Sequence, residues 1–248
     1  MSIKPTHIVL FLSIALSLTS TATAQKQPAK KKKVNPAMAK VEDVAGLPRV
    51  LLIGDSISIG YTVPTRDLLR GKANVHRPPI NCGPTTQGIS QIDNWLATGG
   101  KDKKWDVIHF NWGLHDLKYM GPNGDNLANP DDKDSGQQVP PDEYRKNLTT
   151  LVERLQKTGA HLIWRTTTPV PEGAEGRIVG DSAKYNAIAA GVMTAAGVET
   201  HDLFTFSNTE HAKNPIMLKA NVHYSKSGSA KLATDVARVI EAALVKSE

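Results

Sequence analysis

The chain has 248 residues, one cysteine (Cys82) and a formal net charge of +6, so no internal disulfide can form and the fold must rest on its own core. The charge is local: residues 1–40 hold seven lysines and no acid, which leaves 23 basic against 24 acidic residues in the other 208, a net of −1. That near-neutral body lacks the basic face that nucleic-acid binding requires.

Residues 1–24 read as a signal peptide. Lys4 and His7 give a short polar start, an apolar run covers 8–18, and Ala22-Thr23-Ala24 is a small-residue cleavage site before Gln25. The run is too short to span a bilayer; an uncleaved N-terminal anchor is the competing reading. The expected product is exported, periplasmic or secreted, with no stable membrane insertion once the signal is removed. Residues 25–48, rich in Lys, Pro and Ala, read as a linker. Its Lys30–Lys33 run also suits an anionic cell surface or polyanion.

A folded domain is expected over 49–248. Arg49-Val50-Leu51-Leu52-Ile53 reads as a buried strand that Gly54-Asp55-Ser56 ends abruptly. Gly54 can adopt backbone angles closed to other residues, which leaves Ser56 exposed at the strand's C-terminal edge. A short helix is expected over 64–69, a second strand over 73–76, and a Pro/Gly-rich loop over 77–86 that contains Cys82 and Gly83. Cys82 reads as a small buried residue rather than a nucleophile. Ile89, Ile92 and Leu96 are spaced for a helix over 88–97. Residues 106–112 read as a third strand ended by Gly113. The polar stretch 118–141 has no periodicity and is long enough to be a lid or a substrate-facing loop.

Tyr144, Leu148, Leu151, Val152 and Leu155 then form one apolar stripe, predicting a helix over 141–158. A fourth strand is expected over 161–166, a loop over 167–180, a helix over 181–196 closed by Gly197, and a short fifth strand within 198–204. A last helix is expected over 227–245, with Leu232, Val236, Val239, Ile240, Ala243 and Leu244 on one face. Strands alternating with helices, without a hairpin signal, predict a parallel sheet covered on both faces.

That topology brings Ser56, Gly83, the Gly113-Leu114-His115-Asp116 turn and His223 to one sheet edge, where open α/β sheets bind ligands. A serine needs a base to accept its proton, and the oxyanion that follows needs preplaced donors. His109 alternates with apolar residues and reads as a core histidine. A metal site from His109, His115 and Asp116 is disfavoured because strand alternation turns His109 to one face, which leaves His115 and Asp116 without a third ligand at standard spacing, and no cofactor is expected. Arg77, Arg165, Trp112 and Tyr119 lie near the same edge, where sugar stacking or acid binding competes with core and rim roles.

Gly54-Asp55-Ser56, Gly83, Gly113-Leu114-His115-Asp116 and Ala220-Asn221-Val222-His223 resemble the motif blocks of the SGNH hydrolases, the GDSL esterase/lipase superfamily, over residues 49–243. The chain departs from them twice. His115 replaces the usual asparagine of the third block, and Ala220 replaces the aspartate three residues before the last histidine, as in a divergent subfamily. The resemblance implies a flavodoxin-like three-layer α/β/α sandwich with about five parallel strands, and ester hydrolysis without a metal. By the same resemblance Ser56 is the nucleophile and His223 the base. The oxyanion hole is then the N–H groups of Ser56 and Gly83 with the His115 side chain. Apart from the resemblance, Asp55 and Asp116 read as loop supports, since Asp side chains bond nearby backbone N–H groups, and Asn111 either faces the pocket or makes a strand-end hydrogen bond. Either a backbone carbonyl or Asp202 replaces the missing acid.

The expected activity is that of a serine esterase acting on O-acyl, preferentially O-acetyl, groups of a small-molecule or polysaccharide substrate. A fold-retaining carbohydrate-binding protein without activity, and a glycosidase drawing on Asp116, Asp202 or Asp181, are the rivals. The sequence does not fix the oligomeric state.

Overall fold

The structure, a computed structural model, describes residues 1, 35–100 and 102–246. The signal-peptide reading and the Lys30–Lys33 run fall outside the described residues, Met1 apart. After a short 3-10 helix (Pro36–Met38) the elements are β1 (Arg49–Ile53), α1 (Ser56–Leu68), β2 (Asn74–His76), α2 (Thr85–Leu96) and β3 (Val107–Phe110). The short strands β4 (Tyr119–Met120) and β5 (Gly136–Gln137) precede α3 (Pro141–Gln156), β6 (His161–Arg165) and α4 (Asp181–Ala196). The domain ends with β7 (Glu199–His201), α5 (Leu203–Lys213) and α6 (Lys226–Lys246).

Every residue of β1, β2 and β3 is buried, the pattern of strands covered on both faces. They form one parallel sheet with β6 and β7, in the order β2-β1-β3-β6-β7. This is the doubly wound flavodoxin-like order, whose crevice opens where the connections from β1 and β3 diverge. One helix row pairs α1 with α6, and the other runs α2–α3–α4. The expected stripe on α3 is buried at all five positions. Each such side chain contributes about 1.5–3 kcal/mol by leaving water.

Four differences from the sequence expectation have physical causes. First, α1 begins at Ser56 rather than at 64, because the Asp55 side chain caps it. The poor helix formers Gly60, Thr62, Val63 and Pro64 hide that start in the sequence. Second, α5 was not expected: it has no strong apolar stripe and is set by its N-cap, Asp202. Third, β4 and β5 pair antiparallel within the 118–141 insertion, over too few residues to leave an alternation. Fourth, part of the expected linker is packed on the domain. Ala37 is buried, Asp43 lies against Arg49 and His76, and the Val44 N–H donates to Asn74 Oδ1 at 2.8 Å.

Candidate active site

Ser56 is the first residue of α1, so its N–H has no acceptor within the helix and sits at the positive end of the helix dipole. Asp55 fixes this start: its Oδ1 accepts from Ile57 N–H at 3.0 Å, a cap that contributes about 1 kcal/mol. Beneath the turn, buried Arg77 donates through Nη2 to Gly54 O at 3.2 Å and to Ile80 O at 3.1 Å. The need for glycine at 54 is spatial rather than conformational. Its φ is not positive, and an added Cβ would meet Ser58 Cβ at 2.8 Å.

His223 comes from the loop before α6. One isolated bridge, Met217 with Tyr224, closes that loop, with Leu218 N–H donating to His223 O at 2.8 Å. His223 Nε2 lies 2.8 Å from Ser56 Oγ. Its Nδ1 lies 2.7 Å from Asn221 Oδ1, and the same oxygen accepts the His223 backbone N–H at 2.9 Å. That second bond identifies the facing atom as the carbonyl oxygen, so the ring carries its proton on Nδ1. The Nε2 lone pair is thereby aimed at the serine hydroxyl.

Asn221 thus occupies the orienting position that the sequence reading gave to a backbone carbonyl or to Asp202. Asp202 is instead committed to α5, accepting from Thr205 N–H at 3.0 Å and from Thr166 Oγ1 at 3.3 Å. Ala220, where the family has its aspartate, adopts a left-handed φ of 50°. The one sequence signal for Asn221 was an asparagine two residues before a histidine, the spacing of an Asx turn.

The three expected oxyanion donors are differently placed. Ser56 N–H stands at the helix start. Gly83 N–H, however, donates to Asn81 Oδ1 at 3.0 Å, so this donor is engaged, and Asn81 rather than Gly83 lines the pocket. His115 lines the same pocket as Ser56 and His223. Burial pushes its imidazole below the usual value; the Asp55 charge opposes this, while Lys118, Arg177 and His223 add to it. A neutral His115 keeps one N–H to donate.

The candidate supports turn away from the pocket. Asp116 Oδ1 accepts from Thr85 N–H at 2.8 Å and Thr85 Oγ1 at 2.5 Å, capping α2 where Pro84 has no side chain to do so. Its Oδ2 is buried without a partner among the described residues, and burial raises its pKa to about 7. Asn111 bridges strand ends, donating to Arg165 O at 2.7 Å and Thr167 Oγ1 at 3.1 Å, and accepting from the Arg165 guanidinium. Gly113 is needed for close approach, since a Cβ there would lie 2.1 Å from Thr167 Oγ1. Arg77, Arg165 and Trp112 are all buried and belong to the frame. Cys82 is buried, which raises its thiol pKa to about 11 and leaves it unreactive. His109 sits in the core with Nε2 at 3.0 Å from His201 Nδ1.

The pocket over Ser56 has a volume of about 330 Å³. The insertion brings Lys118, Asn126 and Leu127 to it, and the 167–180 loop brings Ala174, Glu175 and Arg177. Tyr119 N–H donates to Gly176 O at 2.8 Å, tying the two walls together. Lys118 and Arg177 were not singled out in the sequence, because neither belongs to a motif block. Glu175 is the only acid among the described lining residues.

No family model matches the chain, and no curated protein sequence matches it. Solved structures do. An acetyl xylan esterase, AlAXEase, is 16% identical with a TM-score of 0.61, covering 77% of this chain and 99% of its own. Axe2, an acetylxylan esterase from Geobacillus stearothermophilus, is 18% identical with a TM-score of 0.61, over 82% and 96% of the two chains. A lipase/acylhydrolase from Enterococcus faecalis is 17% identical with a TM-score of 0.59, over 79% and 96%. At such identities the likeness is one of fold. The chain has the α/β/α fold of these hydrolases, as its resemblance to the SGNH group implied.

Proposed function

We propose that this chain is an exported serine esterase of SGNH type that removes O-acyl groups, O-acetyl by preference, from a carbohydrate. The observation that carries the reading is the 2.8 Å contact between Ser56 Oγ and His223 Nε2, with Nδ1 held by Asn221. In the first step His223 takes the Ser56 proton as Oγ attacks the ester carbonyl. The oxyanion forms against Ser56 N–H and His115, while Gly83 N–H is held by Asn81. His223 then protonates the departing sugar hydroxyl, leaving an acetyl-serine. Water, deprotonated by His223, hydrolyses that intermediate in the second step. Export rests on the pattern of residues 1–24, and the sugar substrate on the two acetyl xylan esterases of like fold. No helix among the described residues is long and apolar enough to cross a membrane.

A non-catalytic carbohydrate-binding role is the second reading, favoured by one observation: Gly83 N–H is already satisfied by Asn81. A glycosidase needs two carboxylates across the pocket, and Glu175 is the only acid among the described lining residues. Turnover of 4-nitrophenyl acetate and acetylated xylan, with phosphonate labelling mapped by mass spectrometry, separates esterase from binding protein. The esterase reading expects the label on Ser56. Absence of both turnover and labelling would leave the binding role.

A further inference from the structure

Two cations on the pocket wall lack the carboxylate partners that buried cations ordinarily have. Lys118 is only 9% exposed, and its Nζ donates to a neutral acceptor, Asn126 Oδ1, at 2.6 Å. Arg177 is half-buried. Its Nε donates to Leu114 O at 3.2 Å and its Nη1 to Glu175 O at 3.3 Å, both backbone carbonyls. Its Nη2 donates to no described protein atom. Neither residue makes an ion pair with a carboxylate among the described residues, whereas buried Arg49 does. Buried Arg77 lacks one too, but its Nε, Nη1 and Nη2 are all spent on neutral acceptors.

Taking a cation out of water without a counter-ion is costly, and these two repel each other as well. Burial disfavours the charged form of each, and Arg177 adds to the effect on Lys118. Two acids offset part of this for Arg177. Asp55 is committed to the cap of α1, and Glu175 is exposed at the rim. The guanidinium is nevertheless fixed by two carbonyls through Nε and Nη1, which leaves Nη2 to donate. With the Lys118 ammonium on the same wall, that charged donor suits a carboxylate, in the same pocket as Ser56 and His223.

We infer that Lys118 and Arg177 form an anion subsite, and that the preferred substrate is an ester carrying a carboxylate beside the scissile group, as in an O-acetylated uronic-acid glycan. The inference rests on the esterase reading and narrows its substrate class. A carboxylate carried by the acyl group presents the same chemistry, so the test has one arm for each source. In the sugar arm, acetylated oligogalacturonate is compared with acetylated xylo-oligosaccharide. In the acyl arm, mono-4-nitrophenyl succinate is compared with 4-nitrophenyl butyrate, whose acyl chain has similar length.

The full mature chain is expected to favour the anionic member of at least one pair by about tenfold or more in kcat/KM, the scale of a charge-assisted hydrogen bond. The preference is expected to shrink as salt rises from about 0.05 to about 0.5 M, since ions screen the attraction. Arg177→Gln is expected to cut the ratio about tenfold and Arg177→Lys to restore part of it. The salt series needs no variant, so misfolded variants would not remove the test. A preference in the sugar arm assigns the carboxylate to the glycan, and a preference in the acyl arm assigns it to the acyl group. A ratio at or below one in both arms, insensitive to salt, overturns the inference. So does an equal loss on neutral and anionic esters in Arg177→Gln, which would make the cation a general electrostatic support of the reaction. Turnover of 4-nitrophenyl acetate by the wild-type chain, measured alongside, shows whether the esterase reading itself has failed.

Discussion

Ser56 follows a strand whose five residues are all buried, at the start of a helix capped by Asp55 and braced below by Arg77. His223 stands on an exposed loop closed by one isolated bridge and is steered by a side chain two residues away. The serine side is part of the core, so its geometry is fixed by long-range packing that no single hydrogen bond controls. The histidine side is set by a local turn. Substitutions beneath Ser56 should therefore cost folding, while substitutions around His223 should cost rate and leave folding almost untouched.

The sharpest way to break this comparison is at the pair itself. Ser56→Ala is expected to lower kcat on the order of 10⁶-fold, the scale of losing an activated serine. Its melting temperature should stay close to wild type, because the side chain is half-buried and Asp55 still caps α1. Substantial residual turnover would remove Ser56 as nucleophile.

Next in size is Asn221. Asn221→Ala frees the imidazole to take the wrong tautomer and should cost about 10²–10⁴ in kcat, approaching the loss seen when an orienting acid fails. Asn221→Asp keeps the acceptor and adds a charge that stabilises imidazolium. The acid limb of kcat/KM should then move to higher pH, because a neighbouring anion raises the pKa of the base. Asp202→Asn should be almost silent in kinetics, since asparagine caps helices as well as aspartate. Parallel pH–rate profiles of the three variants check this, and a large kcat loss in Asp202→Asn would contradict the local-turn account.

Smaller still is His115. His115→Ala should lose about 10²–10³ in kcat with little change in KM, as expected for an oxyanion donor. His115→Asn should lose far less. Equal losses in both variants, or losses confined to KM, would reduce His115 to a wall of the pocket.

The smallest effect lies on the buried side. The folded Asp116 keeps its proton up to about pH 7, whereas the unfolded chain releases it near the ordinary carboxylate value of about 4. Stability should therefore fall as pH rises from about 4 towards 7 and then level off. Asp116→Asn retains the Oδ1 acceptor for Thr85 and should flatten that slope. Urea unfolding at about pH 5 and about pH 8 measures it.

The same division explains what the sequence made legible. The buried strands and the α3 stripe were readable because burial imposes apolar runs and periodicity, and Gly54-Asp55-Ser56 was readable because it interrupts one. His223 could be singled out, but not the residue that orients it. An Asx turn is a local hydrogen-bond choice that leaves no periodic trace, and the family's pattern pointed to Ala220 instead. Helix α5 was missed for a related reason: its start is set by the Asp202 cap and by tertiary packing, not by a strong stripe. Lys118 and Arg177 meet at one pocket only after two unrelated loops fold against each other.

The bridge between Met217 and Tyr224 has a thermal consequence. A segment held by so few backbone bonds opens at lower free-energy cost than the sheet, and each opening carries His223 away from Ser56 without disturbing the core. Heat should silence this protein before it melts, with activity fading reversibly while its circular dichroism still reports an intact fold. Amides of residues 217–225 should exchange with solvent deuterium well ahead of those in β1 and β3.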